Sequence, residues 1–186
     1  MRPNVDLVTD HIAEIVPDGI KTVDGTIHAY DVLAFATGFE TTGWRWSVDV
    51  IGRDGQSIAA AWEDGPEAYL GITVTGFPNF FVLYGPNTNL GHNSITFMLE
   101  RQVEYTLKAL QALDAKGAAA LVPTEAAQAA FNKTLQEQLS RTVWADPACN
   151  SWYKTGTGKI TQNWSGHTRA YADAVAEVKL EDYELV

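Results

Sequence analysis

The sequence predicts an α/β fold from three observations. Two nearly unbroken apolar runs, Asp31-Val32-Leu33-Ala34-Phe35-Ala36-Thr37-Gly38-Phe39 and Phe80-Phe81-Val82-Leu83-Tyr84, each run into a glycine. Strands buried on both faces of a helix-covered sheet read this way. The second run passes through Gly85-Pro86 into a polar loop and then a long segment with apolar residues at three- and four-residue spacing, the mark of an amphipathic helix. Finally, 186 residues with 46% hydrophobic content can bury a sizeable core, as one compact domain or pieces of two.

The elements follow in chain order. Val5-Asp6-Leu7-Val8 is a short apolar run. Ile12 to Val16 and Gly19 to Val23 flank Pro17-Asp18-Gly19, and Asp24-Gly25 leads into Thr26 to Tyr30, which predicts a β-hairpin and a further strand. The 31–39 run ends at Thr37-Gly38, placing a small residue and a backbone without a Cβ at the carboxyl edge of a sheet, where open α/β sheets bind ligands. From Trp44 to Gly76 the chain is irregular, with a strand at Val48 to Ile51, a turn at Gly52-Arg53-Asp54-Gly55 and a helical turn from Ser57 to Glu63. Phe77-Pro78-Asn79 breaks the chain before the 80–84 strand. The next helix carries Ile95, Met98, Leu99, Val103, Leu107, Leu110 and Leu113 as its inner stripe, with Asn93 or Ser94 as N-cap. A second helix spans Thr124 to Thr142 after Pro123, with Ala126, Ala130, Phe131, Leu135 and Leu139 inward. The tail from Ser151 is aromatic and glycine-rich, and Ala170 to Val186 predicts a short helix and a last strand.

Composition narrows the function. A net charge of −10 disfavours a nucleic-acid backbone or an anionic membrane as partner. Cys149 is the single cysteine, so an intrachain disulfide framework is excluded, a reducing cytoplasm fits, and a buried thiol is expected. No stretch approaches the ~18 consecutive apolar residues of a membrane-spanning helix. A soluble, cytoplasmic chain is the expectation. His11, His28, His92 and His167 show no metal-ligand spacing. Asn132-Lys133-Thr134 and Asn163-Trp164-Ser165 match the glycosylation acceptor pattern and are read as chance.

The polar loop before the first long helix is the candidate site. A helix start offers N–H groups and partial positive charge to an anion or an acceptor oxygen, and Asn87, Thr88, Asn89 and Asn93 supply further hydrogen bonds. On residue types alone, an ordinary capped turn and a ligand site both remain open.

DVLAFATGF (31–39), GFPNFFVLYGPN (76–87), the helix after it and SWYKTGTGKITQNWSG (151–166) together resemble the C-terminal part of class B flavoprotein monooxygenases, the Baeyer–Villiger and related flavin-containing enzymes. The likeness runs from residue 3 to about residue 171 in the family's order. It implies the C-terminal portions of a Rossmann-like flavoprotein with two dinucleotide-binding domains, carrying a β-hairpin and two long helices. Residues 1–42 would end the NADP-binding domain, and 43–186 would form the C-terminal part of the FAD-binding domain. The family's other hallmarks are absent: no G-x-G-x-x-G occurs, and Gly156-Thr157-Gly158-Lys159 completes neither a Rossmann turn nor a P-loop. The phosphate-binding turns and the catalytic arginine would therefore belong to a missing N-terminal portion or a separate N-terminal chain.

The resemblance assigns FAD and NADPH as cofactors, and O2 with a small organic substrate, a ketone or a soft heteroatom compound, as reactants. Its cofactor-binding positions are Thr37 and Gly38 at the strand end, Asn87, Thr88, Leu90, Asn93, Ser94 and Ile95 around the helix start, and Trp152 against the nicotinamide, with Tyr153 and Trp164 nearby. Gly91 would let the backbone approach the flavin ring, and helix N–H groups would stabilise the negative charge of the reduced ring. His92 is a candidate for the substrate cavity. The alternative is a remnant or stand-alone binding module without redox chemistry. Strands whose partners lie elsewhere would also leave apolar edges open to association, including a homo-oligomer.

Overall fold

A computed structural model describes residues 2–37, 48–148 and 151–186. It divides into two compact units, Met1–Phe39 and Glu40–Val186.

The first unit is a three-stranded antiparallel sheet in the order β1 (Ile12–Val16), β2 (Gly19–Thr22), β3 (Ile27–Ala29). Val16 pairs with Gly19 across the Pro17-Asp18 turn, as the turn residues predict. A Cβ at Gly19 would collide with the His28 carbonyl, so the close pairing of β2 with β3 requires glycine there. Asp24 organises the second turn. Its carboxylate accepts from the hydroxyls of Thr22 and Thr26 and from the Thr26 amide. These hydrogen bonds, that of Thr22 first, hold its pKa down at about 2. The sheet has little cover within its unit: Ile12, Ile15 and Ile27 are all exposed.

The second unit holds the helices: α1 (Ile58–Ala61), α2 (Ile95–Lys116), α3 (Glu125–Leu139) and α4 (Thr168–Ala174), with an antiparallel pair β4 (Leu121–Pro123) and β5 (Tyr183–Leu185). Each of the two long helices starts where a hydroxyl can cap it. The Ser94 side chain accepts from the Phe97 amide, and that of Thr124 from the Ala127 amide, each satisfying an otherwise orphaned donor. Gly117 ends α2 in the left-handed conformation at φ 65°, the usual role of glycine there. The main core gathers Met98, Tyr105 and Leu113 of α2, Leu135 and Leu139 of α3, Tyr171 of α4 and Tyr183 of β5 around Ile72, Leu90 and Ile160. Burying such side chains contributes roughly 1.5–3 kcal/mol each. A second cluster joins Ile58 and Trp62 to Val74, Phe77 and Val82.

Three predicted strands are corrected, and the short apolar run at 5–8 is no strand either. Residues 5–8 and 32–37 have no ladder, and residues 38–39 lie outside the described residues. Val48 to Ile51 reduces to one bridge, Ile51 with Ser57, and the 80–84 run to one bridge, Phe81 with Thr73, before a turn at Leu83-Tyr84. A strand requires a neighbour to exchange hydrogen bonds with, and the described residues give these runs at most isolated bridges. Val32 and Phe35 are 82% and 71% exposed. The 80–84 run is instead packed within its own unit, with Val82 buried in the second core cluster.

The helix faces are corrected too. On α2 the buried line is Met98, Gln102, Tyr105, Ala109 and Leu113, while Val103, Leu107 and Leu110 are exposed. Gln102 and Tyr105 replace apolar residues on the inner face because their polar atoms find buried partners, which removes the usual penalty. On α3 the inner line passes through Asn132, Leu135 and Leu139, and Ala126 and Ala130 point outward. The Asn132 amide donates to the carbonyls of Ala68 (3.3 Å) and Gln128 (2.9 Å). Asn132 and Asn163, the two glycosylation-pattern asparagines, are both buried. Cys149 lies outside the described residues.

Candidate functional site: the loop that opens the long helix

The loop 85–94 is held from behind. Gly71, at φ 71°, leaves room for it: a Cβ there would run into the Thr88 side chain and stand 2.7 Å from the Pro86 carbonyl oxygen. A Cβ on Gly85 would collide in turn with the Gly71 carbonyl. Tyr84 and Asn87 both take left-handed backbone conformations at φ 58°, which reverse the chain twice within four residues. The Thr88 hydroxyl donates to the Gly85 carbonyl at 2.7 Å.

A second set of hydrogen bonds stitches the loop to residues 160–164. The Asn87 amide nitrogen donates to the Thr161 carbonyl (2.8 Å), and its side-chain Nδ2 to the carbonyls of Ile160 (2.8 Å) and Asn163 (3.0 Å). Asn89 forms a parallel bridge with Asn163, and its Nδ2 donates to Asn163 Oδ1 at 2.8 Å. Asn87, Thr88 and Leu90 are at most 2% exposed. Their side chains therefore fix the loop.

What the loop presents is the stretch from Gly91 to Ser94, all exposed. Asn93 Oδ1 accepts from the Ser94 amide at 3.1 Å, and Ser94 caps α2. Ile95, half-buried, packs against the main core. Gly91 is not demanded by the protein's own packing: a Cβ there would meet nothing nearer than the Tyr153 hydroxyl at 3.6 Å, an ordinary contact.

Aromatic groups flank this opening. The Tyr84 hydroxyl donates to Asn89 Oδ1 at 2.8 Å, and burial, with Tyr153 second, raises its pKa. Tyr153 packs between Trp152 (ring centroids 4.3 Å apart) and Trp144 (6.0 Å, edge-on). Trp152 is 51% exposed, a half-open indole beside the tyrosine that reaches Gly91. Trp164 is buried, its ring 6.5 Å from that of Phe131 in a stacked arrangement and 5.2 Å from Tyr171.

The structure thus brings Asn87, Thr88, Leu90, Asn93, Ser94 and Ile95 together, with Trp152 linked to them through Tyr153. Thr37 is exposed in the first unit, and Gly38 lies outside the described residues. His92 is exposed, and His167 caps α4, its Nδ1 accepting from the Ala170 amide at 3.2 Å. Among the described residues no group of three His, Cys, Asp or Glu side chains is placed to hold a metal, and no helix is long and apolar enough to cross a membrane. Sequence reasoning did not single out Tyr84, Gln102 or Asn163 as site-building residues. Only Gln102 left a signal, as a polar residue in helical phase with Met98 and Tyr105.

The comparisons give the class this α/β chain resembles, the flavoprotein monooxygenases. No protein-family model matches the chain. It is 40% identical over 186 residues to an FAD-binding monooxygenase of Aspergillus niger, covering 98% of this chain and 30% of that protein. It is 37% identical to a Baeyer–Villiger monooxygenase of Streptomyces coelicolor, covering 100% of this chain and 36% of that protein. Among solved structures, an oxidized steroid monooxygenase bound to NADP superposes with a TM-score of 0.76 at 28% identity, over 100% of this chain and 36% of that one. The chain is related over its whole length to the C-terminal part of class B flavoprotein monooxygenases, and it spans about a third of the length of the curated relatives it matches.

Proposed function

We propose that this chain supplies the flavin-facing loop and the nicotinamide-facing tryptophan of an FAD- and NADPH-dependent monooxygenase. That enzyme inserts one oxygen atom of O2 into a ketone or oxidises a soft heteroatom. Residues 1–42 would end its NADP-binding domain and 43–186 would form the C-terminal part of its FAD-binding domain, with the remaining sequence in the same polypeptide or a separate chain. The carrying observation is Gly91. The protein's own packing does not exclude a Cβ at this exposed position, three residues before the Ser94 cap and beside Tyr153, while the close approach of a planar ring would call for glycine.

The residues present fit the cofactor. When bound, FAD supplies the redox chemistry and NADPH the reducing equivalents. This chain's part is positioning and electrostatics. The amide dipoles at the start of α2 would stabilise negative charge gained by a ring bound there on reduction. Asn93 and Ser94 are exposed there, and Asn87, Thr88 and Leu90 keep the backbone from moving. Trp152, half-exposed beside Tyr153, would meet the nicotinamide end of NADPH.

The test is a fusion of this chain to the part of the Streptomyces coelicolor enzyme that precedes its matched segment. The fusion should retain FAD through purification and reduce it with NADPH, while the chain alone, lacking a pyrophosphate-binding turn, should lose FAD on a desalting column. Near-stoichiometric FAD on the chain alone would favour the stand-alone binding module instead.

A further inference from the structure

Gln102 is fully buried in the middle of α2, where a leucine or methionine would serve packing equally well. Its amide is matched at both ends. Oε1 accepts from the Tyr84 backbone amide at 2.8 Å, and Nε2 donates to the Tyr171 hydroxyl at 2.9 Å. That hydroxyl donates to the Leu70 carbonyl at 2.9 Å. Leu70 and Tyr84 are both left-handed, at φ 57° and 58°, a conformation that costs a non-glycine residue of order 1 kcal/mol and persists only where its surroundings enforce it. The two corners sit beside Gly71 and Gly85, whose backbones touch. Beyond Tyr84 the connection continues: its hydroxyl donates to Asn89, and Asn89 donates to Asn163.

We propose that Gln102 and Tyr171 are positioning residues for the loop 85–94. They form a hydrogen-bonded relay from Leu70 and α4 through α2 to the Tyr84 corner, and Tyr84 passes the constraint to Asn89 at the mouth of the candidate flavin site. The proposal deepens the reading of that loop as the flavin contact and rests on it for what the loop holds. Burial holds the Tyr171 phenol above its ordinary pKa, so the hydroxyl stays a donor throughout the neutral range. An amide is suited to position 102 because one side chain carries both an acceptor oxygen and a donor nitrogen.

The test uses the full chain without cofactor, so it is independent of whether the loop binds flavin. Gln102→Met keeps the length of the side chain and removes both links. Tyr171→Phe removes one hydroxyl and keeps the packing, which guards against a glutamine variant that does not fold. In each variant, hydrogen–deuterium exchange of amides 84–94 should accelerate by about fivefold, one net hydrogen bond's worth, while α3 keeps its protection. The double variant should exchange no faster than the quicker single one, because the two residues are links of one relay. The amide resonances of Gly91 and Asn93 should shift in the same direction in both single variants, a signature that lost packing alone does not produce at that distance. Unchanged loop exchange in Tyr171→Phe, or equal acceleration in the loop and α3, would overturn the proposal. Loss of FAD binding in the fusion with the relay intact would instead count against the flavin reading alone.

Discussion

Gly71 and Gly91 show how differently two glycines can matter. Gly71 is needed by the fold: its φ of 71° and the absence of a Cβ let the Pro86–Thr88 backbone lie against it. Gly71→Ala should cost about 2–4 kcal/mol, combining backbone strain with overpacking. Chemical denaturation of the variant measures it, and an unchanged midpoint would mean that the two loops are not interlocked. At Gly91 the fold tolerates alanine, so packing does not call for glycine there and only the proposed flavin contact would. The cap of α2 was legible from residue type as Asn93 or Ser94, and the structure gives it to Ser94. The scaffolding role of Asn87 was not. Its partners, the carbonyls of Ile160 and Asn163, lie 73 and 76 residues away in sequence, and no local pattern announces them.

At the scale of elements, periodicity located both long helices, though it named cap candidates only for the first and ran the second three residues past its end at Leu139, and it assigned their faces only in part. Val103, Leu107 and Leu110 form an apolar stripe beside the true inner face, and the helix chose the side on which Gln102 and Tyr105 could be satisfied. The apolar runs were legible as hydrophobic; that residues 32–37 lack a ladder and that 80–84 keeps a single bridge was not, since pairing depends on neighbours.

The last strand, β5, is fixed by hydroxyls. Tyr183 bonds Thr73 at 3.0 Å and Tyr105 at 2.8 Å, and the Tyr69 hydroxyl donates to Asp182. Burial, first among the causes, raises the pKa of Tyr69, Tyr105 and Tyr183 above 10.0. A folded-state pKa raised above the unfolded value gives stability that is intact below about pH 10 and lost as pH climbs beyond it. Tyrosinate absorbance from these residues should therefore appear together with the loss of far-UV signal in an alkaline titration. Ionisation of all seven tyrosines near pH 10 with the fold intact would show that the network is not closed.

At the scale of the molecule, the two units differ in how complete they are. The second has a core of its own, while the first leaves most of its apolar side chains uncovered, with Leu7 at 74%, Ile12 at 63% and Val32 at 82% exposed. Such surface is unusual for an isolated soluble monomer. The chain alone should sediment as a concentration-dependent oligomer or aggregate despite its net charge of −10. A monomer at every concentration with one sharp, reversible unfolding transition would contradict this.

Asn93 probes the proposed flavin contact of the loop most directly. Asn93→Asp keeps the acceptor for the Ser94 amide, and a negative charge at a helix start is favourable for the fold. The same charge would repel the electron density that reduction places on a flavin at that point. In the fusion enzyme, the rate of FAD reduction by NADPH should fall about tenfold, equivalent to roughly 1.4 kcal/mol of added barrier. A variant that binds and reduces FAD at the unchanged rate would remove this loop from the flavin site.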